Sequence, residues 1–342
     1  MRIQREKLLG ILEGVRPGIA KKEIIEESAN YVFANKQLVT YNDRICVMHP
    51  LKCGFQCSIQ SDTFYKLISK FTDEVVDINL EGDWLKVKSK SSDAELAAIP
   101  DTKVLRFVKE LKVDKIKKWK PLPKKMTEAF KWCLFSASSN ASIPYLTGIL
   151  ITNDYIMSTD ELRISHYKLK SKMDRPVIIP ADSVKDLIRF EPVRYALTDA
   201  WIFFRNENEV TFCSRLVSDD YPADDYLGEF DFKGKRVILP GALKEALDVT
   251  QVLAEGDIEE EKRVDISIKK GVMKIKAEKQ EVGWVEKRLR IKYKKEGGIT
   301  FTINPIFLSE ILAKTDAVLI GEDRVLFQVG EFKHLVSLFT EE

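Results

Sequence analysis

An amphipathic helical pattern recurs three times in this chain, at intervals close to one third of its 342 residues. It opens in REKLLGILEGV, with Leu8, Leu9, Ile11, Leu12 and Val15 on one helical face. It returns in PKKMTEAFKWCL (Met126, Ala129, Phe130, Cys133) and in PGALKEAL (Leu243, Ala246, Leu247). Residues three and four apart share a face of an α-helix, so each stripe predicts a helix with one buried side. A second helix is predicted about half a period later each time. These are SDTFYKLISKF (Phe64, Leu67, Ile68), ADSVKDLIRF (Val184, Leu187, Ile188) and NPIFLSEILAK (Phe307, Leu308, Ile311, Leu312). Ser61 or Asp62, Asp182, and Asn304 followed by Pro305 are the expected caps, since side-chain oxygens can take orphan N–H groups.

Between the helices lie alternating strand patterns with short polar turns. The turns are expected at Asn35, Gly82, Asn153-Asp154, Lys270-Gly271 and Gly321-Glu322, because Asn, Asp and Gly tolerate the positive φ of tight hairpins. Strands outnumber helices, and none alternates with a long helix as in parallel β/α folds. The expected fold class is therefore α+β: three similar domains, 1–118, 119–233 and 234–342, each with two helices and two antiparallel sheets. The period is too long for a solenoid, whose repeats run about 20–50 residues. Modules of this size can stack in an arc, and an arc can close.

Composition narrows the class. With 44% hydrophobic and 32% charged residues the chain can build cores, which excludes disorder, and 16 Gly exclude collagen. No apolar run approaches the ~20 residues of a membrane span, and MRIQREKLLG lacks a signal-peptide core. Five Cys read as reduced thiols. A cytoplasmic, soluble protein with no membrane partner is expected. The 55 Lys and Arg against 53 Asp and Glu leave a net charge of +2, so any nucleic-acid surface must be local.

Three segments resemble a known family. PYLTGILITNDYIMSTDELRIS (Pro144 to Ser165) is similar to the second-domain hairpin of bacterial sliding clamps, the β subunit of DNA polymerase III. SRLVSDDYP (Ser214 to Pro222) resembles that family's serine-arginine-leucine…tyrosine-proline loop. KKGVMKIKAEKQEVGWVEKRLRIKY with FTINPIFLSEIL resembles its third-domain hairpin, asparagine and helix. The resemblance runs the whole length and is weakest in the first domain. Glu161 and Leu162 stand where the family has glycine and histidine. Ser337, Leu338 and Phe339, with Thr340, Glu341 and Glu342 trailing, replace its terminal methionine-proline-methionine. This pattern implies a divergent clamp and leaves its origin, chromosomal or phage, open.

The resemblance implies three surfaces. A clamp that slides on duplex DNA, nucleoid-associated in the cell, needs diffuse positive charge that attracts phosphate without reading bases. Helix positions off the apolar stripes offer Lys66, Lys70, Lys124, Lys125, Lys131, Lys185 and Arg189, and Arg5, Arg16, Lys21 and Lys22 lie in and just after the first helix. The third domain offers less: Lys244 and Lys314 among Glu245, Asp248 and Glu310. DNA polymerase and clamp-loader subunits would insert short apolar peptides into a groove. Its implied walls are Leu146, Thr159, Arg163, Ile164, Pro222, Leu227, Leu335, Val336, Ser337, Leu338 and Phe339, with Arg163 at its edge and Glu341 and Glu342 disfavouring acidic peptides. A terminal strand buried in its own sheet is the alternative for Leu335–Phe339. A head-to-tail homodimer would close through Phe64, Ala94 and Leu96 of one copy against Val252 and Leu253 of the next, unless Leu96 and Leu253 are core.

Catalytic chemistry is not visible. Cys46, His49, Cys53 and Cys57 have ligand-like spacing, but they fall in strand patterns where buried free thiols are the expected reading over zinc. The acidic SDDYPADDY lacks a calcium loop's spacing and is expected as a solvated loop. GxxxxGK[ST], HExxH and GxSxG are absent, and no cofactor is expected. Two functions stand: a non-catalytic processivity factor encircling duplex DNA, or a clamp-fold scaffold that binds replication or repair proteins without encircling DNA.

Overall fold

The computed structural model describes residues 1–23, 25–293 and 297–340; Glu341 and Glu342 lie outside the described residues. These residues form helices and antiparallel sheets. The helices are α1 (Arg5–Gly14), α2 (Ser61–Lys70), α3 (Val104–Glu110), α4 (Met126–Cys133), α5 (Ala181–Phe190), α6 (Ala223–Gly228), α7 (Leu243–Thr250) and α8 (Pro305–Leu312). Each of the six expected helices forms where the periodicity placed it, with its stripe inward. Met126, Ala129, Phe130 and Cys133 of α4 are fully buried, as are Leu8 and Leu12 of α1. Burying a Leu or Phe side chain contributes about 1.5–3 kcal/mol. The short helices α3 and α6 are additional.

The chain forms two compact units, each discontinuous. The first comprises Met1–Thr127 and Val177–Ser218, the second Glu128–Pro176 and Asp219–Glu342. The expected middle domain, 119–233, is thus shared between them.

In the first unit a four-stranded sheet orders Arg2–Gln4, Val75–Glu81, Trp84–Lys88 and Asp93–Ala97. An eight-stranded sheet orders Gln56–Gln60, Asn30–Ala34, Gln37–Tyr41, Ile45–Pro50, Thr211–Arg215, Trp201–Arg205, Arg194–Leu197 and Lys120–Pro121. At its centre Val47 pairs with Phe212 and Cys46 with Cys213, joining strands distant in sequence. Strand alternation sorts the side chains onto two faces. Phe33 meets Phe64 of α2 edge-on at 5.8 Å, and Phe212 meets Phe190 of α5 at 5.6 Å. The opposite face packs Val32, Cys46, Phe203 and Cys213 against Val104, Leu105 and Val108 of α3. Gly18 follows α1 in close contact with Thr40: a Cβ there would lie 2.8 Å from the Thr40 carbonyl oxygen, so only glycine fits.

The second unit repeats this construction. Strands Gly148–Ile151, Tyr155–Thr159, Arg163–Lys168, Phe332–Ser337, Arg324–Val329, Ala317–Ile320 and Lys235–Ile238 lie side by side, with Ile164 paired to Leu335 and Arg163 to Val336. A four-stranded sheet orders Gly283–Arg290, Val272–Lys279, Val264–Lys269 and Ile299–Ile303. Asn304 caps α8: its Oδ1 accepts from the N–H groups of Ile306 (2.9 Å) and Phe307 (3.2 Å). The other expected caps differ. In α2 it is Gln60, one residue earlier, whose Oε1 accepts from Thr63 N at 2.6 Å. Asp182 lies inside α5 and pairs with Lys185 instead.

Candidate nucleic-acid interface and partner groove

In the first unit the apolar stripes turn inward and leave the cations outside. Arg16, Lys21, Lys22, Lys66, Lys70, Lys124, Lys125, Lys185 and Arg189 are all exposed, as is Lys131 on α4 in the second unit. Arg5 is half-buried, and its Nε is sealed from solvent without a partner among the described residues. Lys66 pairs with Asp62 at 2.5 Å and Lys185 with Asp182 at 2.9 Å. Exposed pairs of this kind are worth at most about 1 kcal/mol, so a phosphate could displace the carboxylate.

Helices α1, α2 and α5 border a recess of about 930 Å³ that the sequence did not disclose. Arg16, Lys21 and Arg189 line it with Gly10, Gly14, Ile19 and Phe190. The Asp186 carboxyl in its wall is pushed up by burial, an effect that Arg189, Lys185 and Lys21 oppose. Cations from two distant segments therefore converge there. The signal available in the sequence was Gly10 and Gly14, one turn apart on a helix.

The second-unit helices offer less. Lys244 is exposed, but Lys314 is turned into an aromatic cage, its Nζ 4.2 Å from the Trp132 ring centroid and 4.5 Å from that of Phe135. Burial lowers the Lys314 pKa, and the ring faces offset part of the desolvation cost.

The groove residues all fall in the second unit, most of them in its interior. Leu146, Thr159, Ile164, Leu335, Val336 and Leu338 are buried, Pro222 and Leu227 half-buried, and Ser337 exposed. Phe339 is half-buried; its N–H donates to Thr302 O at 3.0 Å, and it borders a recess of about 720 Å³ with Asp265 and Lys276. Arg163 is buried rather than set at a rim. Its Nε donates to Asp160 at 2.9 Å, its Nη1 bonds Glu310, and its guanidinium lies 3.9 Å from the Phe307 ring centroid. A tyrosine cluster adjoins Leu146 and Pro222, built from Tyr145 and Tyr221 of the two quoted segments and from Tyr226 outside them: the Tyr145 and Tyr226 hydroxyls are 3.2 Å apart, and Tyr221 meets Tyr145 edge-on at 5.2 Å.

Behind Arg163, His334 is fully buried. Its Nδ1 is 3.0 Å from Ser165 Oγ, which is 2.7 Å from Ser136 Oγ, while its Nε2 has no partner among the described residues. Burial, with Arg163 and Lys314 nearby, drives the His334 pKa well down and keeps the ring neutral.

Of the expected closure residues, Phe64 is entirely core, against Tyr31 and Phe33. Its ring offers nothing to a second copy. Ala94 and Leu96 are half-buried on the edge strand Asp93–Ala97, Val252 is 74% exposed, and Leu253 is half-buried. Cys46, Cys53 and Cys57 are buried free thiols, and burial raises Cys57 to about 12. His49 Nδ1 donates to Pro50 O at 2.9 Å. Among the described residues no three His, Cys, Asp or Glu side chains are grouped to hold a metal, and no helix is long and apolar enough to cross a membrane.

The architecture is that of the bacterial DNA polymerase III β sliding clamps, a three-domain fold, and it is shared along the whole chain. The β subunit from Pseudomonas aeruginosa is 18% identical with a TM-score of 0.82, the comparison covering 99% of each chain. The β chain from Streptococcus pneumoniae TIGR4 is 20% identical with a TM-score of 0.84, again over 99% of each. The β subunit from Thermotoga maritima is 16% identical with a TM-score of 0.81, over 100% of this chain and 99% of that one. No protein-family model and no curated protein matches the sequence. The fold resemblance read from the hairpins and helices thus holds at low identity.

Proposed function

We propose that this protein is a DNA sliding clamp: a non-catalytic processivity factor whose two copies close head to tail around duplex DNA. It would tether a replicative DNA polymerase, and be handled by a clamp loader, through short apolar peptides. The observation that carries this reading is the full-length match in fold to clamp subunits. The exposed cations just after α1 and on α2 and α5 support it, since sequence-independent phosphate attraction needs mobile charge rather than a shaped site. Three domains, 1–118, 119–233 and 234–342, are proposed as the repeating modules.

Ring closure is supported by two sheet edges. Asp93–Ala97 ends one small sheet and carries Asp93 and Glu95; Gly283–Arg290 ends the other and exposes Lys287, Arg288 and Arg290. Unpaired edge N–H and C=O groups seek a partner strand, and opposite charge favours this one. Exposed Trp284 (65%) and Val282 (64%) beside the second edge add apolar area to cover. In the partner groove, Leu146 and Ile164 are buried, so an entering peptide would have to move the side chains that cover them.

A scaffold that binds replication or repair proteins without encircling DNA is the second reading. It is favoured by the poverty of cations on α7 and α8, where Lys244 stands alone, and by Lys314, just past α8, being caged. Loading decides between them. With a bacterial clamp loader and ATP, the protein should stay on nicked circular DNA through a high-salt wash and be lost when that DNA is linearised. Joint charge reversal at Lys66, Lys70, Lys124, Lys131, Lys185 and Arg189 should abolish the weak, salt-sensitive contact that precedes loading. Equal loss from circular and linear DNA would favour the scaffold.

A further inference from the structure

The recess bordered by α1, α2 and α5 has features that a sliding surface does not require. Its volume of about 930 Å³ lies in the range of small-ligand sites. Arg16, Lys21 and Arg189 face it without an ion-pair partner among the described residues, although many surface cations of this chain are paired. Its wall includes Gly10 and Gly14 of α1. Glycine inside a helix costs about 1 kcal/mol relative to alanine, yet a Cβ at either position would meet no atom within 4 Å. Packing therefore does not demand these glycines; they keep space open. The remaining wall is mixed, with half-buried apolar Ile19 and Phe190 and the carboxylates of Glu13, Asp62 and Asp186.

We propose that this recess takes an unpaired nucleotide of single-stranded DNA, its phosphates on Arg16, Lys21 and Arg189 and its base against Ile19 and Phe190. A duplex presents phosphates on a convex surface and keeps its bases stacked, so it can touch the rim but cannot fill the recess. A single strand can turn a base inward, where cationic and apolar groups together bind it without reading sequence. The site lies within one unit of one chain, so it does not depend on ring closure.

The test compares a short labelled oligo(dT), an abasic strand of the same length and a blunt duplex by fluorescence anisotropy, without a loader. Wild-type protein should bind oligo(dT) more tightly than the abasic strand. Gly14→Met, which fills the recess from an exposed helix position, should weaken oligo(dT) binding about tenfold or more and leave the duplex contact unchanged. Arg189→Glu should weaken oligo(dT) far more than Lys70→Glu, which lies outside the recess. Thermal unfolding of each variant checks its fold. The proposal is overturned if oligo(dT) fails to bind, if the abasic strand binds as well, or if Gly14→Met leaves oligo(dT) unaffected. Loss of circular-DNA retention with oligo(dT) binding intact would instead count against the clamp reading alone.

Discussion

His334 shows what burial does to a single side chain. In the unfolded chain its ring titrates near the ordinary histidine value of about 6.5; in the folded protein it stays neutral, its pKa driven well down by burial and by two nearby cations. Below pH 6.5 the unfolded state therefore binds a proton that the folded state refuses, and stability falls with acidification. At pH 5 the loss from this residue is at most about 2 kcal/mol, the limit set by the unfolded-state value. Urea unfolding of wild type and His334→Phe at pH 7 and pH 5 checks it: the variant should lose less between the two, by at most about 2 kcal/mol. An undiminished loss would assign the pH dependence elsewhere. The sequence does not reveal this environment, because Ser136, Ser165 and Arg163 reach His334 only through strand pairing. Cys46 and Cys57 were legible as buried thiols because they fall in strand patterns, and the strands around them are buried on both faces.

At the scale of elements, helix periodicity was more legible than helix ends. The stripes of α1, α4 and α7 are buried as spaced, but Ser61, Asp62 and Asp182 are good capping residues placed one or two positions inside their helices. Strand geometry at Gln60 and Pro180 fixes where the turn begins, and local preference yields to it. Among the hairpins, Asn35, Gly82 and Lys270-Gly271 do take positive φ. Asn153 and Asp154 do not, because Thr152 Oγ1 accepts from the N–H groups of Asp154 and Tyr155 and holds that turn. The acidic loop yields α6, whose Asp224 and Asp225 lie in the first turn where the helix dipole favours carboxylates. Asn304 is the cap whose removal should cost most. Besides capping α8, its Nδ2 donates to the carbonyls of Glu259 (2.8 Å) and Glu260 (3.2 Å). Asn304→Ala should destabilise by about 2–3 kcal/mol in chemical denaturation, and Asn304→Asp, which keeps the cap but loses the donors, by less. Equal losses would show that the cap contributes nothing.

For the molecule as a whole, the threefold repeat was legible because it lies in side-chain spacing, whereas the two compact units were not. They arise from pairing such as Val47 with Phe212 and Ile164 with Leu335, between strands far apart in sequence whose patterns do not name their partners. The same holds for the candidate site: the cations were legible from helix faces, and the recess they share was not. In the proposed ring, association would use the two complementary sheet edges. At micromolar concentration, light scattering should report a particle of twice the 39.3 kDa chain. Arg288→Glu with Lys287→Glu should shift it toward the monomer, and a monomeric wild type would remove the basis for a ring.

The discontinuous first unit also imposes an order on synthesis. Ile45–Pro50 leaves the ribosome long before Thr211–Arg215, the strand that completes its sheet. At typical elongation rates the wait is roughly ten to thirty seconds. Through that interval the nascent chain carries an open strand edge that could recruit a neighbouring chain. A stall or truncation before residue 211 would release a polypeptide with that edge unpaired, a natural client for ribosome-bound chaperones.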